Sequence, residues 1–275
     1  MSSLEYRPVR LPMYDWPEVR TETRELEVFL TEALCSELQI APSRLKAWPD
    51  DLPVHDIWTD PGLLVAQTCG YPLTHSLSGK VALVGAPHYK AVGCEGADYC
   101  SHLLVAQRSG HQRLSDLRRT TAVFNNPDSQ SGMNALRHSI APLANGEVFF
   151  SKVIESRGHL ASMQAVADGI AEVAAIDAVC WQLALQEKPE MAGRLRSIGM
   201  SAKVPNLPFI SSRHHDEETL QKINSAVANV LSDPETKKSR QRLRIGGFST
   251  IDIADYAPIL SMESEARDLG YPKLG

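Results

Sequence analysis

Short apolar runs alternate with amphipathic segments along most of the chain, and this alternation limits the possible folds more than any other feature. Runs at residues 63–66, 81–85 and 103–106 are rich in Val, Leu and Ala. Runs of this length are typical of strands that are buried on both faces. The pattern therefore predicts an α/β protein in which helices flank a mostly parallel sheet.

The individual elements follow from the apolar positions and from the residues that begin and end helices. The predicted strands are residues 9–14, 63–66, 81–85, 103–106, 121–124, 148–154 and 173–176. Five predicted helices are residues 114–117, 133–140, 159–167, 216–231 and 234–243. Two more are a helix that begins near Pro17 and a helix that begins at its cap, Asp177, and ends at Lys188. Pro142 is expected to stop the helix at 133–140, because proline removes a backbone hydrogen bond from a helix interior.

A polar turn at residues 124–132 joins one predicted strand to the next predicted helix. It reads Phe-Asn-Asn-Pro-Asp-Ser-Gln-Ser-Gly, so the hydroxyls of Ser129 and Ser131 stand at the helix start. The first N–H groups of a helix lack intrahelical acceptors and carry partial positive charge. With the two hydroxyls they form a site for a phosphate-like or carboxylate group. We call residues 129–132 the anion seat.

Composition and charge exclude several classes of protein. The net charge is −5 and the pI is about 6.0, and no basic stripe is present, so no nucleic-acid partner is expected. No apolar run approaches the roughly 20 residues that cross a bilayer, so no membrane insertion is expected. The first residues carry no secretory signal, which predicts a cytoplasmic location.

The cysteines and the short motifs indicate neither a metal nor a cofactor. Five cysteines without paired spacing favour reduced thiols; a disulfide between Cys94 and Cys100, the only close pair, is the less favoured alternative. No phosphate-binding loop, dinucleotide fingerprint, zinc-protease motif or nucleophile elbow is present. His214 and His215 are adjacent, so their side chains diverge, and they are expected at a helix entry. The chain is therefore not predicted to be an enzyme.

Three segments together carry a resemblance to a known family. Residues 125–132 read Asn-Asn-Pro-Asp-Ser-Gln-Ser-Gly, residues 156–166 read Ser-Arg-Gly-His-Leu-Ala-Ser-Met-Gln-Ala-Val, and residues 169–177 read Gly-Ile-Ala-Glu-Val-Ala-Ala-Ile-Asp. In order and spacing they resemble the phosphate/phosphonate-binding family of type 2 periplasmic solute-binding proteins. Similar stretches near Tyr14, Tyr99 and residues 205–208 extend the resemblance over nearly the whole chain.

The resemblance implies a two-lobed Venus-flytrap fold. Each lobe is expected to be a mixed sheet flanked by helices, with the ligand cleft between the lobes. Residues 1–102 and 200–275 are expected in lobe one and residues 103–199 in lobe two. The hinge is expected near residues 99–104 and 198–206.

The resemblance also implies the site. In that family the Ser-x-Ser turn and the histidine after the glycine hold the oxyanion, while an aspartate and tyrosines contact the rest of the ligand. The corresponding residues here are Ser129, Gln130, Ser131, Gly132, His159, Asp177, Tyr14 and Tyr99. The polar turn of Gln67, Thr68 and Cys69 follows an apolar run and is expected to edge the cleft. The alternative is structural, with the serines and the aspartate as helix caps and the tyrosines in the core.

The implied function is reversible binding of a small oxyanion such as a phosphonate or phosphate, as the solute-binding component of an ABC uptake system with an ABC permease as partner. The seat offers neutral donors, whereas phosphoryl transfer needs Lys, Arg or a metal to offset developing charge. The missing signal keeps two alternatives open: a cytoplasmic ligand sensor, and a small-metabolite enzyme that resembles chorismate dehydratase. A start upstream of Met1 would instead make the protein periplasmic. Neutral donors do not distinguish tetrahedral from planar oxyanions, so the ligand stays unspecified.

Overall fold

The contacts within the chain divide it into two units. In a computed structural model, which describes residues 5–49 and 51–274, unit 1 comprises residues 1–90 and 205–255, and unit 2 comprises residues 91–204 and 256–275. The division differs from the expected lobes chiefly at the C-terminus, because residues 256–275 group with unit 2 instead of lobe one.

Twelve strands and ten α-helices make up the regular structure of the described residues. The strands are β1 (Ala66–Gln67), β2 (Val81–Tyr89), β3 (Cys94–Glu95), β4 (Asp98–Tyr99), β5 (Ser101–Ala106), β6 (Thr121–Phe124), β7 (Lys152–Glu155), β8 (Ala174–Asp177), β9 (Leu195–Met200), β10 (Val204–Pro205), β11 (Phe209–Ser212) and β12 (Ile245–Ser249). The helices are α1 (Arg20–Glu37), α2 (Val54–Thr59), α3 (Gly70–Thr74), α4 (Ala135–Ala144), α5 (His159–Ala167), α6 (Ala178–Glu187), α7 (Pro189–Ala192), α8 (Glu217–Ser232), α9 (Lys237–Arg242) and α10 (Ala257–Asp268). A π-helical turn, Gln130–Asn134, leads into α4.

Unit 1 is built on a four-stranded sheet in the order β1-β11-β2-β12, and all three pairings are antiparallel. The prediction of a mostly parallel sheet is wrong, because an apolar run shows that a strand is buried but not which way its neighbour runs. β2 changes partner at Gly85, pairing with β11 before it and with β12 after it. A Cβ at Gly85, whose φ is +153°, would lie 2.4 Å from the Phe248 ring, so only glycine lets β12 cross here.

The predicted strand at residues 9–14 is also wrong. Arg10 forms a single parallel bridge with Ala66, and the chain then turns into a 3-10 helix, Pro12–Tyr14. Pro12 fixes its own φ and has no N–H to donate to a ladder, so the strand pattern cannot continue through it.

Unit 2 contains two antiparallel groups of strands, one of them the β3–β4 hairpin, and one parallel pair. β5 lies between β8 and β9 and is antiparallel to both, whereas β6 and β7 are parallel. A parallel bridge from Ala122 to Val173 places the residue before β8 on the other side of β6. The sheets of the two units are therefore mixed or antiparallel, and helices flank them.

Helix α4 runs past the proline that was expected to stop it. Pro142 lies inside the helix, which ends at Ala144 and is followed by Asn145 in a left-handed conformation, with φ of 54°. Pro142 is exposed and lies in the last turn, where its missing N–H breaks a single bond close to a helix end that is already open. The true stop signal is the left-handed Asn145.

The C-terminal segment completes the core of unit 2. Ala266 on α10, Tyr271 and Leu274 lie in the same apolar cluster as residues of α4, β5 and β6. The buried guanidinium of Arg137 holds this segment, since it donates to the Pro272 carbonyl over 3.0 Å. This bond joins residues 135 positions apart, so no local sequence pattern indicates where the segment packs.

No helix among residues 5–49 and 51–274 has the length and apolar content that a bilayer crossing requires. All five cysteines are free thiols.

We expect Tyr271→Ala to lower the free energy of unfolding by about 3–5 kcal/mol, because it empties a nearly fully buried aromatic site in the unit 2 core. Leu269→Ala is the matched control: Leu269 lies two residues earlier and is 48% exposed, so its truncation should cost less than about 0.5 kcal/mol. Urea denaturation followed by circular dichroism measures both. Equal, small losses would contradict the packing of the C-terminal segment.

Candidate functional site

Neighbouring strands of unit 2 end at one edge of the sheet, and the candidate residues lie at or just after these strand ends. The anion seat follows β6, the loop to His159 follows β7, and Asp177 is the last residue of β8. Because β6 and β7 are parallel and in register through Phe124 and Glu155, the two loops leave the sheet on the same side. Carboxyl ends of adjacent parallel strands are a common position for ligand sites.

The anion seat is a capped helix start. The Ser129 hydroxyl accepts the N–H of Gly132 over 3.0 Å, and the Ser129 carbonyl accepts the N–H of Asn134 over 3.0 Å. The second bond spans five residues and opens the wider π-turn, a form that is frequent at functional sites. Ser129, Ser131 and Gly132 are all buried. The expected capping role of Ser129 is therefore present, and the N–H groups beside it form the positive end of the helix.

Close packing against Asn125 shapes the seat. A Cβ at Gly132 would lie 1.8 Å from the Asn125 Oδ1 and 2.8 Å from its Cγ, so no larger residue fits without displacing Asn125. Oδ1 of Asn125 is buried without a hydrogen-bond partner among the described residues. Asn125 was not among the predicted site residues, although its position directly after a strand end was visible in the sequence.

Ser131 and His159 meet across the two loops. The Ser131 hydroxyl and the His159 Nε2 are 2.8 Å apart, a hydrogen bond between residues 28 positions apart in the chain. A neutral imidazole carries one hydrogen, so either Ser131 donates to Nε2 and Nδ1 holds the hydrogen, or Nε2 donates to Ser131. This pair joins two of the predicted site residues.

Burial keeps the His159 ring neutral. The residue is partly exposed, but its Nδ1 is buried and has no hydrogen-bond partner in the described parts of the chain. Desolvation lowers the pKa of His159 from 6.5 to about 4, because burial disfavours the charged form. At neutral pH the ring is therefore a hydrogen-bonding group without charge.

The Asp177 carboxylate caps helix α6. Its Oδ1 accepts the N–H of Val179 over 2.7 Å and that of Cys180 over 3.2 Å, and the side chain is buried. Burial raises the pKa of the Cys180 thiol well above its ordinary value, and the Asp177 charge raises it further. The same two causes raise the pKa of Cys94 to about 12. The carboxylate thus lies among protonated thiols, and its two hydrogen bonds to backbone N–H groups cap the start of α6.

The Gln130 side chain contacts the C-terminal helix α10 and the end of the π-turn. Its amide nitrogen lies 3.1 Å from the Met262 sulfur, and its amide oxygen accepts the Asn134 side chain over 2.7 Å. Asn134 also donates to the Ile259 carbonyl over 3.2 Å. These contacts give Gln130 a role in holding the π-turn against α10. Tyr99, the remaining predicted residue in unit 2, is 1% exposed and pairs with Cys94 in the β3–β4 hairpin.

The other predicted residues lie in unit 1, where they are buried. Tyr14 packs edge-on against Tyr89 with ring centroids 5.2 Å apart, and Gln67 donates to the Tyr89 hydroxyl over 2.7 Å. Tyr14, Gln67 and Tyr89 line an internal cavity of about 20 Å³, which has room for about one water. Thr68 is bonded through its N–H to the Pro208 carbonyl, and Cys69 precedes α3.

A strained residue beside His159 was also missed. Arg157 has a φ of +68°, a left-handed conformation that is costly for a residue with a side chain. Its N–H donates to the Asn125 carbonyl over 2.7 Å, so the loop after β7 is bonded directly to the loop after β6. The Arg-Gly sequence gives no signal for this conformation, because glycine is the residue that commonly adopts a positive φ and here Gly158 is extended.

Among residues 5–49 and 51–274, no group of three or more His, Cys, Asp or Glu side chains is arranged to hold a metal ion.

Comparison with known proteins gives one family. The sequence model of the family described as ABC transporter, phosphonate, periplasmic substrate-binding protein matches residues 69–256, about two thirds of the chain. The match includes the anion seat, His159 and Asp177. No curated protein is significantly similar in sequence.

Several solved structures share the fold at low sequence identity. A binding protein component of an ABC phosphonate transporter from Pseudomonas aeruginosa is 16% identical, with a TM-score of 0.74 over 96% of this chain and 88% of that chain. PhnD1 from Prochlorococcus marinus in complex with methylphosphonate is 13% identical, with a TM-score of 0.74 over 96% and 98%. XAC2383 from Xanthomonas citri bound to ATP is 15% identical, with a TM-score of 0.69 over 97% and 98%. At these identities the likeness shows the periplasmic-binding-protein fold.

We expect Gly132→Ala to destabilise the protein by about 1–3 kcal/mol, because the new methyl group would overlap the Asn125 side chain. Gly158→Ala is the control: a Cβ there meets no atom within 4 Å, and the extended backbone accepts any residue. Thermal and urea unfolding of the two variants measure the difference. If Gly132→Ala unfolds like the wild-type protein, the packing of Asn125 on the seat is wrong.

We expect the His159 ring to titrate near pH 4 in an NMR titration. Its folded pKa lies below the unfolded value, so the unfolded chain binds the proton first and the free energy of unfolding falls as the pH drops from 6.5 toward 4. His159→Gln should reduce this pH-dependent decrease in the free energy of unfolding by up to about 3 kcal/mol. His214→Gln, at an exposed histidine, should leave the decrease in the free energy of unfolding unchanged. A His159 titration near 6.5 would contradict the burial of the ring.

Proposed function

The chain belongs to the family of periplasmic substrate-binding proteins of ABC phosphonate transporters, and from that premise we propose that it captures a small phosphonate or a closely related oxyanion, reversibly and without chemical change. The observation that carries this proposal is the Ser131–His159 hydrogen bond at the start of the π-turn. It sets a hydroxyl and an imidazole beside the open N–H groups of a helix start.

The seat supplies the interactions that an oxyanion needs. Helix N–H groups and hydroxyls donate to anionic oxygens, and the helix dipole favours negative charge at this end. Burial strengthens each of these hydrogen bonds, because the surroundings screen charge less than water does. A phosphonate oxygen that replaces water at the seat therefore gains several hydrogen-bond donors at once. The phosphonate group is also small enough for a site that two short loops form.

The same geometry opposes catalysis. A serine nucleophile needs a base with a pKa near the working pH and a third group that orients the base. Burial lowers the pKa of His159 to about 4, and its Nδ1 has no orienting partner within residues 5–49 and 51–274. No Lys or Arg lies in the seat to offset charge on a transferring phosphoryl group. The arrangement suits binding and release.

The Asp177 carboxylate narrows the ligand class. An ionised carboxylate accepts hydrogen bonds and repels a fully ionised oxyanion, so it favours a ligand that presents a protonated oxygen or an ammonium group. Aminoalkyl phosphonates carry both an oxyanion and an ammonium group. We therefore place aminoalkyl phosphonates beside simple alkyl phosphonates, such as the methylphosphonate bound by PhnD1, among the proposed ligands.

A binding protein of this family delivers its ligand to a permease, so we propose an ABC permease as partner and the periplasm as location. Fractionation of cells that carry the whole native gene tests the location, and recovery only with the cytoplasmic fraction would contradict it.

We expect calorimetric titration to show saturable binding of at least one alkyl or aminoalkyl phosphonate to the wild-type protein. Ser131→Ala and His159→Ala should each weaken it roughly ten- to hundredfold, because each removes a hydrogen bond to a charged ligand. Ser115→Ala, at an exposed serine of the same unit, is the control and should bind as tightly as wild type.

Two results would oppose this function. Full affinity in both Ser131→Ala and His159→Ala would move the site elsewhere. Conversion of the phosphonate during incubation, followed by ³¹P NMR, would make the protein an enzyme instead of a binding protein.

A further inference from the structure

Several cationic side chains gather around one cavity in unit 1, whereas the anion seat belongs to unit 2 and contains no Lys or Arg. The end of β2, helix α9 and the start of β12 enclose a cavity of about 450 Å³. We call this cavity the basic pocket, and the residues that define it are Lys90, Lys237, Arg240, Gln241, Arg244 and Gly246. No carboxylate lines it, although the chain as a whole carries a net charge of −5.

Two of the four cations are held in place. The Arg240 guanidinium donates through Nε to the Thr236 hydroxyl and through Nη2 to the Asp233 carbonyl, each over 2.9 Å. Lys90 lies across Gly246, where a Cβ would come within 2.7 Å of the Lys90 Cε. The glycine therefore lets the lysine stem pack against the backbone and brings its ammonium group to the pocket.

Three of the four cations, Lys90, Lys237 and Arg240, are not paired with a carboxylate in the described part of the chain. Lys90 and Lys237 make no ion pair among residues 5–49 and 51–274, and Arg240 bonds to a hydroxyl and a carbonyl instead of a carboxylate. The contrast is Arg242, which lies 3.5 Å from the Glu22 carboxylate. Arg244 has a φ of +63°, which directs the chain from α9 into β12 at the rim of the pocket.

We propose that the basic pocket binds a small polyanion with two or more linked phosphate groups. The pocket is concave and its volume lies in the range of small-molecule sites, which favours a compact group over an extended acidic surface. Arginine matches phosphate oxygens through its planar fork, and lysine contributes compact charge from several directions. Four cations around one cavity suit a ligand whose negative charge is multiple and spread over more than one phosphate. This site is independent of the function proposed for unit 2.

The test is a calorimetric titration of the full chain with inorganic pyrophosphate, repeated with orthophosphate and at rising salt. We expect one saturable site that prefers pyrophosphate and weakens as salt screens the charges. Lys237→Gln should weaken pyrophosphate binding about threefold, and Lys90→Gln with Lys237→Gln about tenfold or more. Lys238→Gln is the control, because Lys238 is exposed on the same helix but does not line the pocket.

Four results would overturn the proposal. The first is no binding of pyrophosphate, and the second is an equal loss of pyrophosphate affinity in Lys237→Gln and Lys238→Gln. The third is a loss of pyrophosphate affinity in Ser131→Ala, which would place the ligand at the anion seat. The fourth is equal affinity for a hexaglutamate peptide, which would make the pocket a patch for acidic chains. Thermal unfolding of each variant verifies that it is folded.

Discussion

The parallel pairing of β6 with β7 is the constraint on which the candidate site depends. A parallel pair needs a crossover, and the π-turn with α4 supplies it, so the loop after each strand emerges at the same edge of the sheet. That shared edge is why Ser131 and His159 meet within hydrogen-bond distance. Had β7 run the other way, the residue after it would lie a strand length from the seat. The packing of Asn125 on Gly132 and the bond from Arg157 to Asn125 then lock the two loops together.

Burial decides the chemistry that this geometry can perform. The seat is built from buried serines, a glycine and a histidine whose ring burial keeps neutral. Hydrogen-bond donors and the partial charges of a helix start suit the binding of an anion, as we propose, and burial leaves His159 a weak base at neutral pH. The basic pocket of unit 1 depends on exposed cationic side chains instead of buried neutral donors. Its lysines are exposed, so long-range attraction replaces buried hydrogen bonds and makes the proposed polyanion binding sensitive to salt.

Much of the local structure was predictable, because the signals that begin and end helices act over a few residues. Helix α5 lies where the sequence placed it, the Asp177 carboxylate caps α6, and the Asp216 carboxylate caps α8. The failures have equally definite causes. Pro12 turned an apparent strand into a 3-10 helix, and Pro142 lay too near the end of α4 to stop it. The amide of Gln130 contacts Asn134 and Met262, and Met262 lies on α10, a helix that the sequence pattern did not reveal.

By itself, the sequence determined the position of α5, the aspartate caps of α6 and α8 and the family, because caps, turns and motif spacing depend on residues that are neighbours in the chain. Only the tertiary structure decided the strand directions, the meeting of Ser131 with His159, the placement of residues 256–275 in unit 2 and the gathering of four cations around one pocket. These features depend on contacts between distant parts of the chain, such as the bond from Arg137 to the Pro272 carbonyl across 135 positions. Their free energies come from burial and packing, which no short stretch of sequence specifies.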